Sequence, residues 1–188
     1  MTPPGADEVA DRALILYALT RRGTIELALG EFALEPTRVA QAEAARVETD
    51  RWIARESLDE ALTETERRLF ETASGTWPKP AIDDALWRRE ALGVLLWALG
   101  HLGEMAPYGE EFPAHDLEAA ITRYGSVAAF RAEGRLRAAA DIETAWMEAD
   151  AWFGATEGRG GDDAAVASTA AERFRALSWL RDGGAAPA

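Results

Sequence analysis

The sequence from Asp83 to Gly103, DDALWRREALGVLLWALGHLG, contains the apolar run around which we predict the fold to be organised. From Ala91 to Leu99 no residue is charged, so a helix here is apolar on every face, as in a helix buried on all sides. The run is much shorter than the roughly 18 residues that a bilayer span needs, and three charged residues precede it directly. We therefore predict a central buried helix over residues 84–100, which ends at Gly100 because glycine favours helix termination.

Local signals give the boundaries of this helix and of the first one. Asp83 or Asp84 can cap the central helix, because a short carboxylate accepts the free amide hydrogens of a first turn. We predict residues 77–80 (WPKP) as an extended connection, since proline disfavours helical geometry in the residue before it. A first helix is predicted to begin at Asp7 and to stop at Gly23.

Further helices follow from apolar residues at helical spacing and from capping residues. They are predicted over about 24–32, 37–56, 63–72, 115–124, 126–130, 138–153 and 163–181. Thr63 and Glu66 have the spacing of a capping box. Residues 154–163 (GATEGRGGDD) are predicted as a loop, with Asp162 or Asp163 capping the last helix. Because no segment alternates with a period of two, we predict an all-α fold of about seven to nine helices.

The length and the amino acid composition limit the organisation of the chain. At 188 residues the prior is one domain, and we predict a single compact domain over 8–183, with disorder at 1–7 and 184–188. The absence of cysteine excludes disulfides, thiolate metal sites and cysteine nucleophiles. The start, MTPPGADEVADR, lacks the basic region and apolar stretch of a secretory signal, so a cytoplasmic location is expected.

The charge of the chain is strongly acidic, with 20 basic against 33 acidic residues and a net charge of −13. Proteins that bind nucleic acid or anionic lipid use basic surfaces, because neutralising phosphate supplies most of their non-specific affinity. We therefore predict neither nucleic acid nor a membrane as a partner. Two interpretations of the charge remain. One is a surface kept apart from others by like charge, and the other is an acidic face for a basic protein partner or a mimic of nucleic acid.

The residues that usually carry catalysis or bind metals are sparse. His101 and His115 are the only histidines, and no zinc-binding spacing surrounds them. No serine lies in a GxSxG motif, and the glycines at 158–161 lack the lysine of a phosphate-binding loop. We predict no metal, no cofactor and no catalytic residue. At a helix end, His101 is predicted to interact with the last carbonyls and the helix dipole.

Four charged residues lie within predicted helices that are rich in large apolar residues: Arg88, Glu90, Glu172 and Arg173. Charged groups are seldom buried unless they are paired. We predict that the two helices pack together and form at least one pair, either Arg88 with Glu172 or Glu90 with Arg173. With His101 these residues form a candidate polar cluster, which is either structural or part of a binding site.

Two stretches also carry a family resemblance: WRREAL continuing into LLWALG at 87–100, and ERFRALSWL at 172–180. Their order and spacing resemble the uncharacterised bacterial family known as domain of unknown function 4272, over about residues 8–183. Ser178 stands where that pattern suggests asparagine. The resemblance implies a helical cytoplasmic domain and no established activity, so it identifies no catalytic residue.

Three functional classes are compatible with these features. The first is a non-catalytic acidic helical interaction module, either an adaptor or an immunity-type partner of a basic protein. The second is a small-molecule-binding protein or an enzyme with a cleft near Arg88, Glu90 and His101. The third is a homo-oligomeric structural protein, for which exposure of Trp77 or Tyr108 would be the indication.

Overall fold

The computed structural model describes residues 2–156 and 164–187 of the chain. Within these ranges the protein is all-helical, as predicted, with eight α-helices, one 3-10 helix and no strand. The α-helices are α1 (Ala6–Glu31), α2 (Pro36–Arg55), α3 (Glu64–Glu71), α4 (Lys79–Ala98), α5 (Ala114–Thr122), α6 (Val127–Glu133), α7 (Ala139–Thr156) and α8 (Ala164–Asp182), and the 3-10 helix is Leu58–Ala61. None of the described helices combines the length and the apolar character that crossing a bilayer requires.

The chain divides into two compact units, and each is described separately below. The larger unit consists of residues 1–13 and 89–187, and the smaller unit of residues 14–88. The predicted single domain over 8–183, and the predicted disorder at 1–7 and 184–188, stay predictions.

In the smaller unit, α1 continues through Gly23 to Glu31, so the predicted stop at Gly23 and the separate second helix are wrong. A side chain at Gly23 would place its Cβ only 3.0 Å from the Cβ of Ala85 in α4. Nearby, the Thr20 hydroxyl donates to the Ala85 carbonyl at 3.2 Å. Glycine is therefore present because two helix backbones come close together at this point. The helix continues through it despite the weak helix propensity of glycine.

The start of α4 also differs from the prediction. The helix begins at Lys79 and not near residue 84, because Pro80 falls in the first turn, where its missing N–H and fixed φ are tolerated. Asp83 and Asp84 are not caps. They lie inside the helix, where Asp83 pairs with Lys79 at 2.6 Å and Asp84 with Arg88 at 2.8 Å. Both are i,i+4 pairs within the helix, and both aspartate side chains are exposed.

The predicted capping box at α3 is confirmed. The Thr63 hydroxyl accepts from the Glu66 N–H at 3.3 Å, and the Glu66 carboxylate accepts from the Thr63 N–H at 2.8 Å. The remaining helices begin and end within three residues of their predicted positions. Those agreements reflect local capping and turn signals, which depend on few residues.

In the larger unit, the apolar run Ala91–Leu99 is buried on every side. Its most exposed large side chain, Trp97, is 8% exposed. Gly100 ends the helix in a left-handed conformation, with φ +75°. Its N–H donates to the Trp97 carbonyl at 2.9 Å, and the His101 N–H donates to the Leu96 carbonyl at 2.9 Å. This pair of hydrogen bonds is a Schellman motif, so the predicted ending at Gly100 is confirmed.

A side chain from another segment, Arg137, completes this helix end. Its guanidinium donates to the carbonyls of Trp97 at 2.8 Å, Leu102 at 3.1 Å and Gly103 at 2.8 Å. A cation at a helix C-terminus is favoured by the free carbonyls and the dipole. The prediction that the His101 side chain has this role is therefore wrong.

Helices α7 and α8 pack along each other in the larger unit. The rings of Phe153 and Phe174 stack with centroids 5.1 Å apart. The Trp146 indole donates to the Ser178 hydroxyl at 3.0 Å, and the Arg181 guanidinium lies over the same indole. The predicted loop over 154–163 is only partly described, since α7 extends to Thr156. Residues 157–163, with the predicted caps Asp162 and Asp163, lie outside the described residues.

Candidate functional site

The candidate site is built around one predicted ion pair, between Glu90 of α4 and Arg173 of α8. The Arg173 Nε donates to Glu90 Oε2 at 2.9 Å, and its Nη2 lies 2.8 Å from the same oxygen. The two side chains are 0% and 1% exposed. Of the two pairs that the sequence predicted as alternatives, this one is confirmed.

The remaining donors of Arg173 bind the backbone of the connection between α4 and α5. Its Nη1 donates to the carbonyls of Ala106 at 2.7 Å and Pro107 at 3.3 Å, and its Nη2 donates to the carbonyl of Glu110. All three guanidinium nitrogens therefore have acceptors within the protein. We call this connection, residues 104–113, the anchored segment.

Phe112, the penultimate residue of the anchored segment, contacts both members of the pair. Its N–H donates to Glu90 Oε1 at 3.0 Å, and the Arg173 guanidinium carbon lies 4.6 Å from the centre of its ring. The ring also lies against Gly93, where any Cβ would overlap the aromatic carbons. Gly93 is thus required for a close approach and not for an unusual backbone angle.

The electrostatics of the pair follow from burial. Loss of water raises the pKa of Glu90, while the charge and hydrogen bonds of Arg173, the Phe112 N–H and the charge of Arg89 oppose that rise. A buried carboxylate with both oxygens bound has no free lone pair directed toward solvent. The arrangement positions the anchored segment against α4 and α8.

The other charged residues of the predicted cluster do not join this pair in the contacts that are described. Arg88 pairs with Asp84, and Glu172 pairs with Arg175 on its own helix. Arg88 belongs to the smaller unit, while Glu172 and His101 belong to the larger one.

His101 belongs to a second buried cluster in the larger unit. Its Nδ1 lies 2.7 Å from the Tyr124 hydroxyl, and its ring lies 4.2 Å from that of Phe130. The Arg123 guanidinium donates to the same hydroxyl at 2.6 Å. Burial, followed by the charge of Arg123, lowers the pKa of His101 against opposing effects from the Phe130 backbone and Glu133. A neutral imidazole accepting from Tyr124 is consistent with this environment.

Sequence reasoning missed a similar arrangement in the smaller unit. The buried Arg22 donates from Nε to Glu26 at 2.8 Å and from Nη2 to the Thr72 carbonyl at 3.1 Å. The Trp77 N–H donates to the same Glu26 at 3.4 Å, and its indole lies under the Arg22 guanidinium. The i,i+4 spacing of Arg22 and Glu26 was the available signal.

Trp77 is therefore buried, which removes one of the two predicted indications of a homo-oligomer. Tyr108, the other, is 41% exposed. His115 is exposed and lies 3.0 Å from Asp116. Across residues 2–156 and 164–187, no group of three histidine, aspartate or glutamate side chains is arranged to hold a metal ion.

No curated protein and no solved structure matches this chain. A family model described as Domain of unknown function (DUF4272) matches residues 1–186, nearly the whole chain. The match includes both stretches on which the predicted resemblance depends, the helix around Glu90 and the helix around Arg173. The chain therefore belongs to the DUF4272 family.

Proposed function

We propose that this protein is a non-catalytic, acidic helical module that binds a basic protein partner in the cytoplasm. The observation that carries this proposal is that the polar atoms of the Glu90–Arg173 pair are hydrogen-bonded to groups of the protein itself. All three guanidinium nitrogens of Arg173 and both oxygens of Glu90 have hydrogen-bond partners within the larger unit. A substrate or ligand at this position would have to displace buried hydrogen bonds, at a cost of about 1–3 kcal/mol each.

The competing proposal, a small-molecule site near Arg88, Glu90 and His101, has less support. Glu90 and His101 are both buried, and their hydrogen-bond partners are different residues. Catalytic groups have to contact substrate, and these side chains have almost no accessible surface. The charged cluster is better explained as a device that fixes the position of the anchored segment.

The partner class follows from charge. A net charge of −13 produces a negative potential that repels nucleic acid and attracts cationic surfaces. Complementary charge accelerates association and rejects partners of the wrong sign more than it adds affinity. A folded or extended protein segment rich in lysine and arginine is the chemistry that such a surface selects.

The experiment that tests this proposal has two stages. Affinity capture on the purified chain first identifies candidate proteins, and each is then purified and titrated by calorimetry. We expect a basic partner with a defined stoichiometry, and an affinity that falls as salt rises from about 50 mM to about 200 mM. Native mass spectrometry and sedimentation of the same sample test for a bound metabolite and for self-association.

The outcomes separate the three functional classes. Saturable, salt-sensitive binding of a basic protein supports the proposal. A stoichiometric bound metabolite would instead favour a small-molecule-binding protein, and concentration-dependent mass alone would favour a homo-oligomer. Binding that neither saturates nor responds to salt would overturn the proposal, since charge would then not select the partner.

A further inference from the structure

The outward side of α7 has a pattern that none of the contacts above uses. At 100° per residue, the stripe opposite its buried residues contains Thr144, Met147 and Ala151, which are uncharged and exposed. Acidic side chains flank this stripe on both sides: Glu143 and Asp150 on one, Asp141 and Glu148 on the other. We call these seven residues, with the neighbouring Tyr108, the α7 face.

The acids of the α7 face have no basic partner on their own helix. Several acids on other helices pair with a base four residues away, such as Asp50 with Arg46, Glu64 with Arg68, Asp83 with Lys79 and Asp84 with Arg88. Helix α7 contains no lysine or arginine at all. Among the described residues, Asp141 and Asp150 have no salt bridge. Glu143 has a long one, with its carboxylate oxygen 3.9 Å from the Arg181 guanidinium, which lies closer to Asp182 at 2.6 Å.

Two large side chains, Met147 and Tyr108, lie beside these acids. Met147, at the centre of the stripe, is 60% exposed. Tyr108 stacks on Trp152 with ring centroids 4.9 Å apart and donates from its hydroxyl to Glu148 at 3.4 Å. Tyr108 lies in the anchored segment, so the buried Arg173 pair holds it at the edge of α7.

We propose that the α7 face is the docking site for a basic, amphipathic helical segment of a partner protein. An apolar side chain of that segment would lie on Met147, whose flexible thioether adapts to different contacts. Lysine or arginine side chains on either side of it would reach the two acidic flanks. A second copy of this chain is disfavoured as the occupant, because its own α7 face has the same charge. The inference rests on the proposed function and names the surface and the partner chemistry.

Met147 also supplies a direct probe, because the chain contains only three methionines. The protein is labelled with ¹³C at the methionine methyl groups, and the Met147 signal is assigned by its loss in Met147→Leu. The probe is a synthetic helical peptide with lysine on one face and leucine on the other. A scrambled peptide of the same composition is the control for charge alone. We expect the Met147 signal to shift saturably with the amphipathic peptide, while that of the half-buried Met105 moves little.

Matched variants test whether position matters beyond total charge. Glu143→Gln with Asp150→Asn removes two acids from the α7 face. Glu31→Gln with Glu71→Gln removes two exposed acids of the smaller unit and changes the net charge equally. If each lost acid removes an exposed ion pair of ordinary strength, the α7 variant should bind the peptide about five- to tenfold more weakly. The control variant should weaken binding by less than about twofold. Met147→Ala is expected to weaken binding by about threefold or more without changing its salt dependence.

The results distinguish this inference from the broader proposal. If the chain binds a purified basic partner but both charge variants weaken binding equally, the interaction module stands and the α7 face is not its site. The inference is also overturned if the Met147 signal does not shift, or if the scrambled peptide shifts it as strongly. A sedimentation shift without peptide that disappears in Met147→Ala would show a second copy on the face instead.

Discussion

The carboxylate of Glu90 and the guanidinium of Arg173 meet at 2.8 Å inside the larger unit, although the two residues are 83 positions apart in the chain. The smaller unit repeats the arrangement with Glu26 and Arg22. In both, the acid accepts the N–H of an aromatic residue and the arginine binds a carbonyl of a connecting segment. Each pair thereby fixes one connection against the helices, and desolvation offsets much of its attraction.

Breaking the Glu90–Arg173 pair is expected to be costly. Arg173→Met leaves a buried carboxylate without its cation and removes the donors to the carbonyls of the anchored segment, so the free energy of unfolding should fall by about 3–5 kcal/mol. Glu90→Leu should have a similar effect, and the double variant should lose less than the sum of the two. Urea unfolding of the four proteins measures this double-mutant cycle. Asp84→Asn, at an exposed aspartate, is the control, and its loss of stability is expected to be about 1 kcal/mol or less. Two single variants within error of wild type would contradict the buried, dry environment of the pair.

Two glycine substitutions should change the free energy of unfolding in opposite directions. At Gly93 an added methyl group overlaps the Phe112 ring, and Gly93→Ala should destabilise the protein by about 1–3 kcal/mol. At Gly30, also within a helix, no atom lies within 4 Å of an added Cβ, and Gly30→Ala should stabilise by about 0.5–1 kcal/mol. Thermal and urea unfolding of both variants check this. A neutral Gly93→Ala would mean that Phe112 does not lie against α4.

Trp97 lies at the end of the buried run and under the Arg137 guanidinium, whose carbon is 4.8 Å from the ring centre. Trp97→Ala should lower the free energy of unfolding by about 3–5 kcal/mol, the range for a large aromatic side chain removed from a core. Trp97→Phe, which retains most of the apolar volume, is the control and should cost less. Unchanged stability of the alanine variant would contradict the role of α4 as a buried core helix.

The stability of the protein should depend on pH through His101. Its pKa is below the ordinary 6.5, so the unfolded chain binds the proton more strongly than the folded one. The stability contributed by neutral His101 is therefore complete above about pH 6.5 and is lost progressively as the pH falls below that value. In His101→Asn, which keeps an acceptor for Tyr124, this slope should decrease between about pH 6.5 and pH 5. Equal slopes in the two proteins would show that His101 does not titrate differently on unfolding.

Chelation should leave the protein unaffected. The chain has no cysteine and two histidines, and the described residues include no three-membered group of metal-binding side chains. The melting temperature in excess EDTA is expected to equal that in buffer, within the error of calorimetry. A decrease of several degrees that zinc reverses would demonstrate a metal site and would revise the proposed function.

The sequence by itself determined the features that depend on neighbouring residues. The apolar run at 91–99 has no charge to present to water, so a buried helix follows from it. The capping box of Thr63 and Glu66 and the ending at Gly100 follow from groups within one helical turn. The pairing of Glu90 with Arg173 was predictable as one of two alternatives, because a buried charge needs an opposite charge.

Tertiary structure decided the features that depend on residues far apart in sequence. Gly23 looked like a helix stop, but the close approach of Ala85 explains a glycine inside a continuous helix. Arg137 took the helix-capping role that His101 was predicted to have, since three backbone carbonyls converge on its guanidinium. The α7 face arises in the same way, because packing against α8 buries one side of α7 and leaves Met147 and the acids beside it exposed. Local propensities differ by only about 1 kcal/mol per residue, so long-range packing and desolvation, which are larger, decide where such residues lie.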